Sequence, residues 1–287
     1  MKILITGATG FIGSNLIKKL NKNNTIYAIT RNKRYSIKNV KWVRCDLSKK
    51  INFNNFPKDL DCIIHLAQSR EHKKFPEKVF DIFNINSYST LQLLEYGRKI
   101  KIKSFILASS GGVTGYKDNK ILEEDPPNPL TFYLTSKYIA ESLVNSYSDY
   151  FNIIILRYFF VYGKGQKDGI VPLLINKIKN NEPIYIYGDK EGTKINPIYI
   201  DDAIHSTLHA LELKEKQVIN IAGRETISIL KLSNLISKYL KKKPVFEYKD
   251  GPTQNMIADI EKMKYSLKVE PKISLKEGIK RILRKKR

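Results

Sequence analysis

Tyr133 and Lys137 stand four residues apart in Tyr133-Leu134-Thr135-Ser136-Lys137, a spacing that puts both side chains on one face of a helix. A free phenol titrates near pH ~10 and is a poor acid–base group at neutrality, but a neighbouring ammonium favours phenolate. On most helices such a pair is merely solvated. Here Ser109-Ser110-Gly111-Gly112 lies upstream, just after an apolar run. A hydroxyl there could hold a reacting oxygen beside Tyr133. The chemistry on offer is proton exchange with a substrate oxygen, and a bound dinucleotide would be a fitting partner for it.

Thr6-Gly7-Ala8-Thr9-Gly10-Phe11-Ile12-Gly13 supplies a place for one. Glycine permits positive φ and close approach of a pyrophosphate to the backbone, and the third glycine lets a helix pack tightly on its strand. A glycine pattern alone is weak evidence. It gains force from its position, at the end of an apolar run and the start of an amphipathic one. The second strand ends Ala28-Ile29-Thr30-Arg31, with a guanidinium where an acidic ribose ligand is usual. Arg31, with Arg34 as a helper, suits the 2′-phosphate of NADP by charge and forked geometry. NADP is therefore the expected cofactor and NAD the alternative.

These residues need a scaffold, and the hydrophobic pattern predicts one. Apolar runs at 2–6, 25–30, 41–45, 62–67, 104–109 and 153–158 alternate with amphipathic stretches at 11–22, 76–99 and 132–150. That is the pattern of a Rossmann-type, doubly wound parallel sheet covered by helices. After Gly163 the segments shorten. Helices are expected at 171–181, 201–213, 228–240 and 274–283, and strands at 184–187, 197–200 and 218–221. The reading is a dinucleotide-binding domain over 1–163 and a smaller C-terminal α/β substrate lobe over 164–287, with later segments free to return to the sheet. Ligands of such folds bind in the cleft at the carboxyl ends of the strands.

The chain has 287 residues, 42% hydrophobic and 28% charged, values that exclude wholesale disorder. Its formal charge of +23 could attract nucleic acid, but lysines are spread through nearly every segment. Clusters occur only at Lys241-Lys242-Lys243 and Arg284-Lys285-Lys286-Arg287, so no nucleic-acid partner is expected. Cys45 and Cys62 match no metal spacing and read as free thiols. His65, ending an apolar strand, reads as structural, and the few histidines give no metal site. Asp201-Asp202 reads as a helix N-cap rather than a metal ligand pair. No apolar run spans a bilayer, and Met1-Lys2 leads into too few apolar residues for a signal peptide. The expectation is a cytoplasmic protein.

Taken together, the motifs resemble an extended short-chain dehydrogenase/reductase of the NAD(P)-dependent sugar-nucleotide epimerase/dehydratase family. The likeness runs along nearly the whole chain: the Gly7–Gly13 turn, Asp46-Leu47, His65-Leu66-Ala67, Asn86, Ser109-Ser110, Tyr133-x-x-x-Lys137 and Leu156-Arg157-Tyr158-Phe159-Phe160-Val161-Tyr162-Gly163. It continues through Ile186-Tyr187-Gly188-Asp189, Pro197-Ile198-Tyr199-Ile200-Asp201-Asp202, Asn220-Ile221-Ala222-Gly223 and Glu270-Pro271-Lys272-Ile273-Ser274-Leu275. The resemblance implies that Tyr133 exchanges the proton of a sugar hydroxyl or ketone. Lys137 would bind the nicotinamide ribose and depress the tyrosine pKa, Ser110 would hydrogen-bond the reacting oxygen, and Asn86 would support the proton network. Asp46 and Leu47 would contact adenine, and Leu66 and Ala67 would line the cofactor with Thr9, Phe11 and Ile12. It also implies a homodimer through helices 76–99 and 132–150, with Tyr88, Leu91, Leu143 and Val144 as contact residues.

The departures narrow the chemistry. Gly111 and Gly112 stand where family dehydratases carry an acidic pair, which argues against 4,6-dehydration. Ile195-Asn196-Pro197 replaces a common Arg-Asp-Phe triplet, and Phe160 replaces an asparagine that often touches the substrate diphosphate. Anchoring then falls to Lys164, Lys167 or Lys194, with Ser109 and Gly111 beside the sugar. The implied activity is hydride transfer at C4 of a nucleotide-linked sugar, either 4-epimerisation or reduction of a 4-keto sugar. Reduction of a non-sugar ketone is an alternative. A non-catalytic NAD(P)-binding protein with an RNA- or partner-binding surface is another, opposed by the retention of Ser110, Tyr133 and Lys137.

Overall fold

In β1 (Lys2–Thr6), Ile3 and Ile5 point to one side, Leu4 to the other, and all three are fully buried. A strand with no solvent face belongs at the middle of a sheet covered on both sides. The computed structural model describes residues 1–32 and 36–284, and β1 is central in it. Arg34 and the basic tail residues Lys285, Lys286 and Arg287 lie outside the described residues.

β2 (Thr25–Thr30) and β3 (Val40–Arg44) extend the sheet on one side of β1. β4 (Cys62–His65), β5 (Ser104–Ser110) and β6 (Asn152–Tyr158) extend it on the other. The chain then forms β7 (Pro183–Tyr187) and β8 (Lys194–Ile195) outside this sheet before β9 (Gln217–Ile221) returns to pair with β6. The order is β3-β2-β1-β4-β5-β6-β9, every pair parallel. This is the doubly wound order, with the switch between β1 and β4. Two small sheets complete the C-terminal part: β10 (Ile227–Ser228) against β8, and β11 (Val245–Lys249) parallel to β7.

The helices are α1 (Phe11–Leu20), α2 (Val79–Phe83), α3 (Ser89–Lys99), α4 (Phe132–Asn145), α5 (Ile170–Asn180), α6 (Ile200–Ala210), α7 (Ile229–Leu240), α8 (Glu261–Leu267) and α9 (Leu275–Leu283). One core lies on the α1 and α6 face of the sheet and continues into the C-terminal elements. The other lies under α3 and α4. Val144 belongs to that second core at 0% exposure, so it is unavailable as a surface contact; Tyr88, Leu91 and Leu143 are partly exposed.

Several boundaries differ from expectation for identifiable reasons. The stretch 76–99 is not one helix: a π-helical turn, Asn84–Tyr88, separates α2 from α3. Ser89 and Thr90 hydroxyls bond back to the carbonyls of Ile85 and Asn86, and such widened turns recur at functional sites. α4 starts where Thr131 accepts from the Leu134 N–H and stops at Asn145, before the weak helix formers Ser146, Ser148 and Asp149. Residues 197–200 form a single parallel bridge, Tyr199 to Tyr162, rather than a strand. Pro197 has no N–H to donate, and the Asn196 side chain instead bonds the Ala258 backbone in both directions. Asp201 and Asp202 do not cap α6, whose N-cap is Tyr199. They sit in its first turn, where carboxylates favour the helix dipole, and Asp202 accepts from the backbone N–H groups of Lys272 and Ile273.

Candidate active site

The glycine turn follows β1 directly. Gly7 has φ +64°, and the Gly10 N–H closes the turn on the Gly7 carbonyl at 2.8 Å. A Cβ at Gly7 would lie 2.7 Å from the Leu66 backbone, and one at Gly13 would lie 2.3 Å from the Gly7 oxygen. Both positions therefore demand glycine, and the Leu66-Ala67 backbone lies against the turn at Gly7. α1 begins with no side-chain cap and no acidic residue in its first turn, which leaves its N–H groups open to an anion. The residues present fit a dinucleotide pyrophosphate. Phe11 reaches across to the Gly163 backbone, while Thr9 and Ile12 are half-buried.

At the adenosine end, Arg31 is exposed and Leu47 is buried. Partial burial opposes ionisation of Asp46, but hydrogen bonds from Ser48 and the nearby charges of Arg31 and Lys49 hold its carboxyl below the usual range.

Ser110 is the last residue of β5, and α4 packs against that strand. Lys137 is 3% exposed and its Nζ donates to the Ala108 carbonyl on β5. Burial pushes the Lys137 ammonium down to about 8, with Glu141 opposing. Burial also pushes the Tyr133 hydroxyl up to about 12. The Lys137 ammonium, expected to favour the phenolate, makes its hydrogen bond to the Ala108 carbonyl. The Ser110 hydroxyl accepts from the Gly112 N–H at 3.3 Å, and the buried Ser109 hydroxyl has no hydrogen-bond partner among the described residues.

Asn86 lies in the π turn, 1% exposed. Its Nδ2 donates to Ser136 Oγ at 2.9 Å, and Ser136 donates to the Tyr133 carbonyl at 2.6 Å. Asn86 thereby ties the first turn of α4 to the π turn. His65 is sealed in the sheet between Thr6 at 2.6 Å and Ser89 at 3.4 Å, a structural position.

The substrate-side residues are more scattered. A Cβ at Gly111 would lie 2.1 Å from the Phe159 ring, so no side chain fits there as the ring stands. Phe160 adopts φ +45°, a conformation that asparagine tolerates far better. Ile195, at the arginine position of the family triplet, is 1% exposed. Lys164 is exposed, and the Lys194 ammonium lies 4.0 Å from Asp189. A cavity of about 340 Å³ lies between the Gly163–Lys167 loop, α5 and Ile282, and Lys167 lines it.

Two residues beside Tyr133 escaped the sequence reading. The Tyr133 hydroxyl donates to Gln68 Oε1 at 2.9 Å, and the His72 ring lies 5.1 Å from the tyrosine ring. The only available signal was position: Gln68 directly follows the Leu66-Ala67 pair at the cofactor turn. Among the described residues, no group of three or more metal-ligating side chains converges, and no helix is long and apolar enough to cross a membrane.

A glycine cradle at the switch of this sheet, with a Tyr–Lys pair packed on β5, defines a Rossmann-type enzyme of the short-chain dehydrogenase/reductase class. The chain belongs to the NAD dependent epimerase/dehydratase family, whose sequence profile matches residues 3–222. It is 33% identical to a Methanocaldococcus jannaschii protein provisionally named UDP-glucose 4-epimerase, covering 98% of this chain and 97% of that one. It is 29% identical to the dTDP-4-dehydro-6-deoxyglucose reductase of Escherichia coli, covering 98% and 96%. The solved UDP-glucuronic acid 4-epimerase of Bacillus cereus, in complex with UDP-glucuronic acid and NAD, superimposes with a TM-score of 0.88. That match covers 99% of this chain and 98% of the other at 31% identity.

Proposed function

We propose that the chain is a 4-epimerase of a nucleotide-linked sugar that retains its dinucleotide through turnover. The observation that carries this reading is the packing of α4, which bears Tyr133 and Lys137, on β5, which ends at Ser110. It occurs in a chain that matches named 4-epimerases along nearly its whole length. Gly7, Gly10, Gly13 and the α1 N-terminus would hold the pyrophosphate, Asp46 and Leu47 the adenine end, and Lys137 the nicotinamide ribose. The dinucleotide would supply the hydride acceptor and donor. Tyr133 exchanges the proton of the sugar 4-hydroxyl, Ser110 hydrogen-bonds the same oxygen, and Asn86 keeps Tyr133 in place through Ser136. Lys164, Lys167 and Lys194 supply the positive charge for the diphosphate in place of the missing arginine and asparagine. A second copy of the chain would pair along α3 and α4, where Tyr88, Leu91 and Leu143 remain partly exposed.

Reduction of a 4-keto sugar is a second reading, supported by Arg31 and by the likeness to the dTDP-4-dehydro-6-deoxyglucose reductase. One experiment separates the two. The purified protein is denatured and its released nucleotide identified by mass spectrometry, then refolded or apo protein is titrated with NADH and NADPH. Retained NAD, with interconversion of C4-epimeric UDP-sugars, supports the epimerase. Empty protein preferring NADPH supports the reductase, and binding of neither cofactor overturns both.

A further inference from the structure

Gln68 opens the segment that crosses from β4 to α2, and its neighbours anchor that segment firmly. The Ser69 N–H donates to Asn86 Oδ1 at 2.9 Å, the Ser69 hydroxyl donates to Asp81, and the Glu71 N–H donates to Ser69 Oγ at 3.0 Å. Asn86 uses its other end on Ser136 and hence on Tyr133. A single buried asparagine therefore sets the spacing between Gln68 and Tyr133. The Gln68 side chain is exposed and accepts from the Tyr133 hydroxyl, and the Ser69 N–H beside it is held by Asn86.

We propose that Gln68 is a positioning residue that follows the protonation state of Tyr133, accepting a hydrogen bond from the neutral phenol and donating one to the phenolate. A carboxamide carries both an acceptor oxygen and donor N–H groups, so a half-turn about its last torsion exchanges one for the other. The first of these states is on view: Tyr133 Oη donates to Gln68 Oε1 at 2.9 Å. The second is what proton exchange requires, because a donor to the charged form favours it. The need is real in this chain, where burial opposes the phenolate and Lys137 Nζ is directed to the Ala108 carbonyl. The other titratable group set against Tyr133 is His72, whose ring packs on the tyrosine ring from the same segment. This inference rests on Tyr133 being the proton-exchanging group of the proposed reaction.

The test uses the full-length, dinucleotide-loaded protein and the variants Gln68→Glu and Gln68→Leu, with C4-epimeric UDP-sugars as substrates across a range of pH. Wild-type turnover is measured first and judges the parent reading alone; a cofactor-loaded wild type inert towards all nucleotide sugars overturns that reading and this inference with it. With an active wild type, Gln68→Leu is expected to lower kcat about ten- to a hundredfold, the loss of a hydrogen bond to a charged group, with KM nearly constant. Gln68→Glu offers only acceptors. It is expected to move the rising limb of the pH–kcat profile upward by about one unit, a tenfold change in the ionisation equilibrium. A merely structural glutamine would lower kcat in both variants without moving that limb. An unshifted limb in Gln68→Glu, or unchanged kcat in both variants with cofactor affinity intact, overturns the proposal.

Discussion

Arg157 on β6 and Glu141 on α4 form a bidentate ion pair inside the protein, Nε to Oε1 at 3.1 Å and Nη2 to Oε2 at 2.8 Å. Their side chains are 6% and 3% exposed. The third guanidinium nitrogen bonds the Glu123 carbonyl at 3.0 Å, and Glu123 in turn accepts from the Asn220 N–H at the β9 edge. Glu141 is one turn beyond Lys137, so this pair fixes the helix that carries both Tyr133 and Lys137 relative to the sheet. Removing one partner strands a buried charge. Glu141→Ala is expected to lose about 3–5 kcal/mol of unfolding free energy, read by urea denaturation. The apolar double variant Glu141→Leu with Arg157→Met should recover much of that loss. A Glu141→Ala protein within about 1 kcal/mol of wild type would show that the pair does not hold α4.

The sheet and the cofactor turn were legible because each is written in local pattern. Ile3, Leu4 and Ile5 form a run buried on both sides, and Gly7, Gly10 and Gly13 occupy positions that exclude a Cβ. The π turn at Asn84–Tyr88 was not legible, since it arises from side chains bonding back to the backbone within an otherwise helical pattern. β11 was missed for a different reason: four of its five residues are exposed, so no apolar alternation marks it, and only the partner strand β7 makes it a strand. The Tyr133–Lys137 spacing places both residues on α4, but the contact the lysine makes there was not legible. Ala108, the carbonyl it meets, is brought to it by tertiary packing. Gln68 was invisible because nothing about an exposed glutamine signals a tyrosine 65 residues away.

Replacing Tyr133 by Phe removes the hydroxyl and keeps the ring against His72. Turnover is expected to fall at least a hundredfold, the scale of general acid–base catalysis, while dinucleotide affinity stays within about twofold. Steady-state kinetics and a fluorescence titration read the two quantities separately. Activity within a few-fold of wild type would remove Tyr133 from the acid–base role.

Arg31 lies close enough to Asp46 to favour its carboxylate. Arg31→Asp would put two carboxylates at the adenosine end and is expected to shift preference from NADP toward NAD by about tenfold or more, the worth of one charge-assisted contact. The ratio of dissociation constants for NADPH and NADH measures it. An unchanged ratio would make Arg31 a surface charge without a role in cofactor choice.

His65 gives the protein a pH-dependent stability. Burial, aided by the Lys137 charge, pushes its imidazole down to about 3, from an ordinary value near ~6.5. Between those two values the unfolded chain binds a proton that the folded chain refuses. The stability from keeping His65 neutral is therefore complete above pH ~6.5 and declines as pH falls toward 3, at a limiting slope of about 1.4 kcal/mol per unit. Urea denaturation at pH 7, 6 and 5 should show this slope in wild type and a shallower one in His65→Asn. Parallel slopes would mean that His65 is protonated in the folded state.

Gly111 sits where the core leaves no room for a side chain. A Cβ there would meet Phe159 Cζ at 2.1 Å, and Phe159 is 1% exposed, so the ring has nowhere to swing. At Gly112 the nearest obstacle is the end of the Leu134 side chain at 2.8 Å, which can turn aside. The acidic pair found here in family dehydratases is thus excluded at its first position by the core and at its second only by a movable methyl. Gly111→Ala is expected to destabilise by about 1–3 kcal/mol, the usual cost of overpacking, and Gly112→Ala by less. Adding Phe159→Leu to Gly111→Ala should return part of the loss, which thermal or urea unfolding of the four proteins would reveal. If Gly111→Ala proved as stable as wild type, the ring would be mobile enough to admit a carboxylate. The argument against dehydration would then rest on residue identity alone, and Gly111→Asp with Gly112→Glu would become the variant to assay for a 4-keto-6-deoxy product.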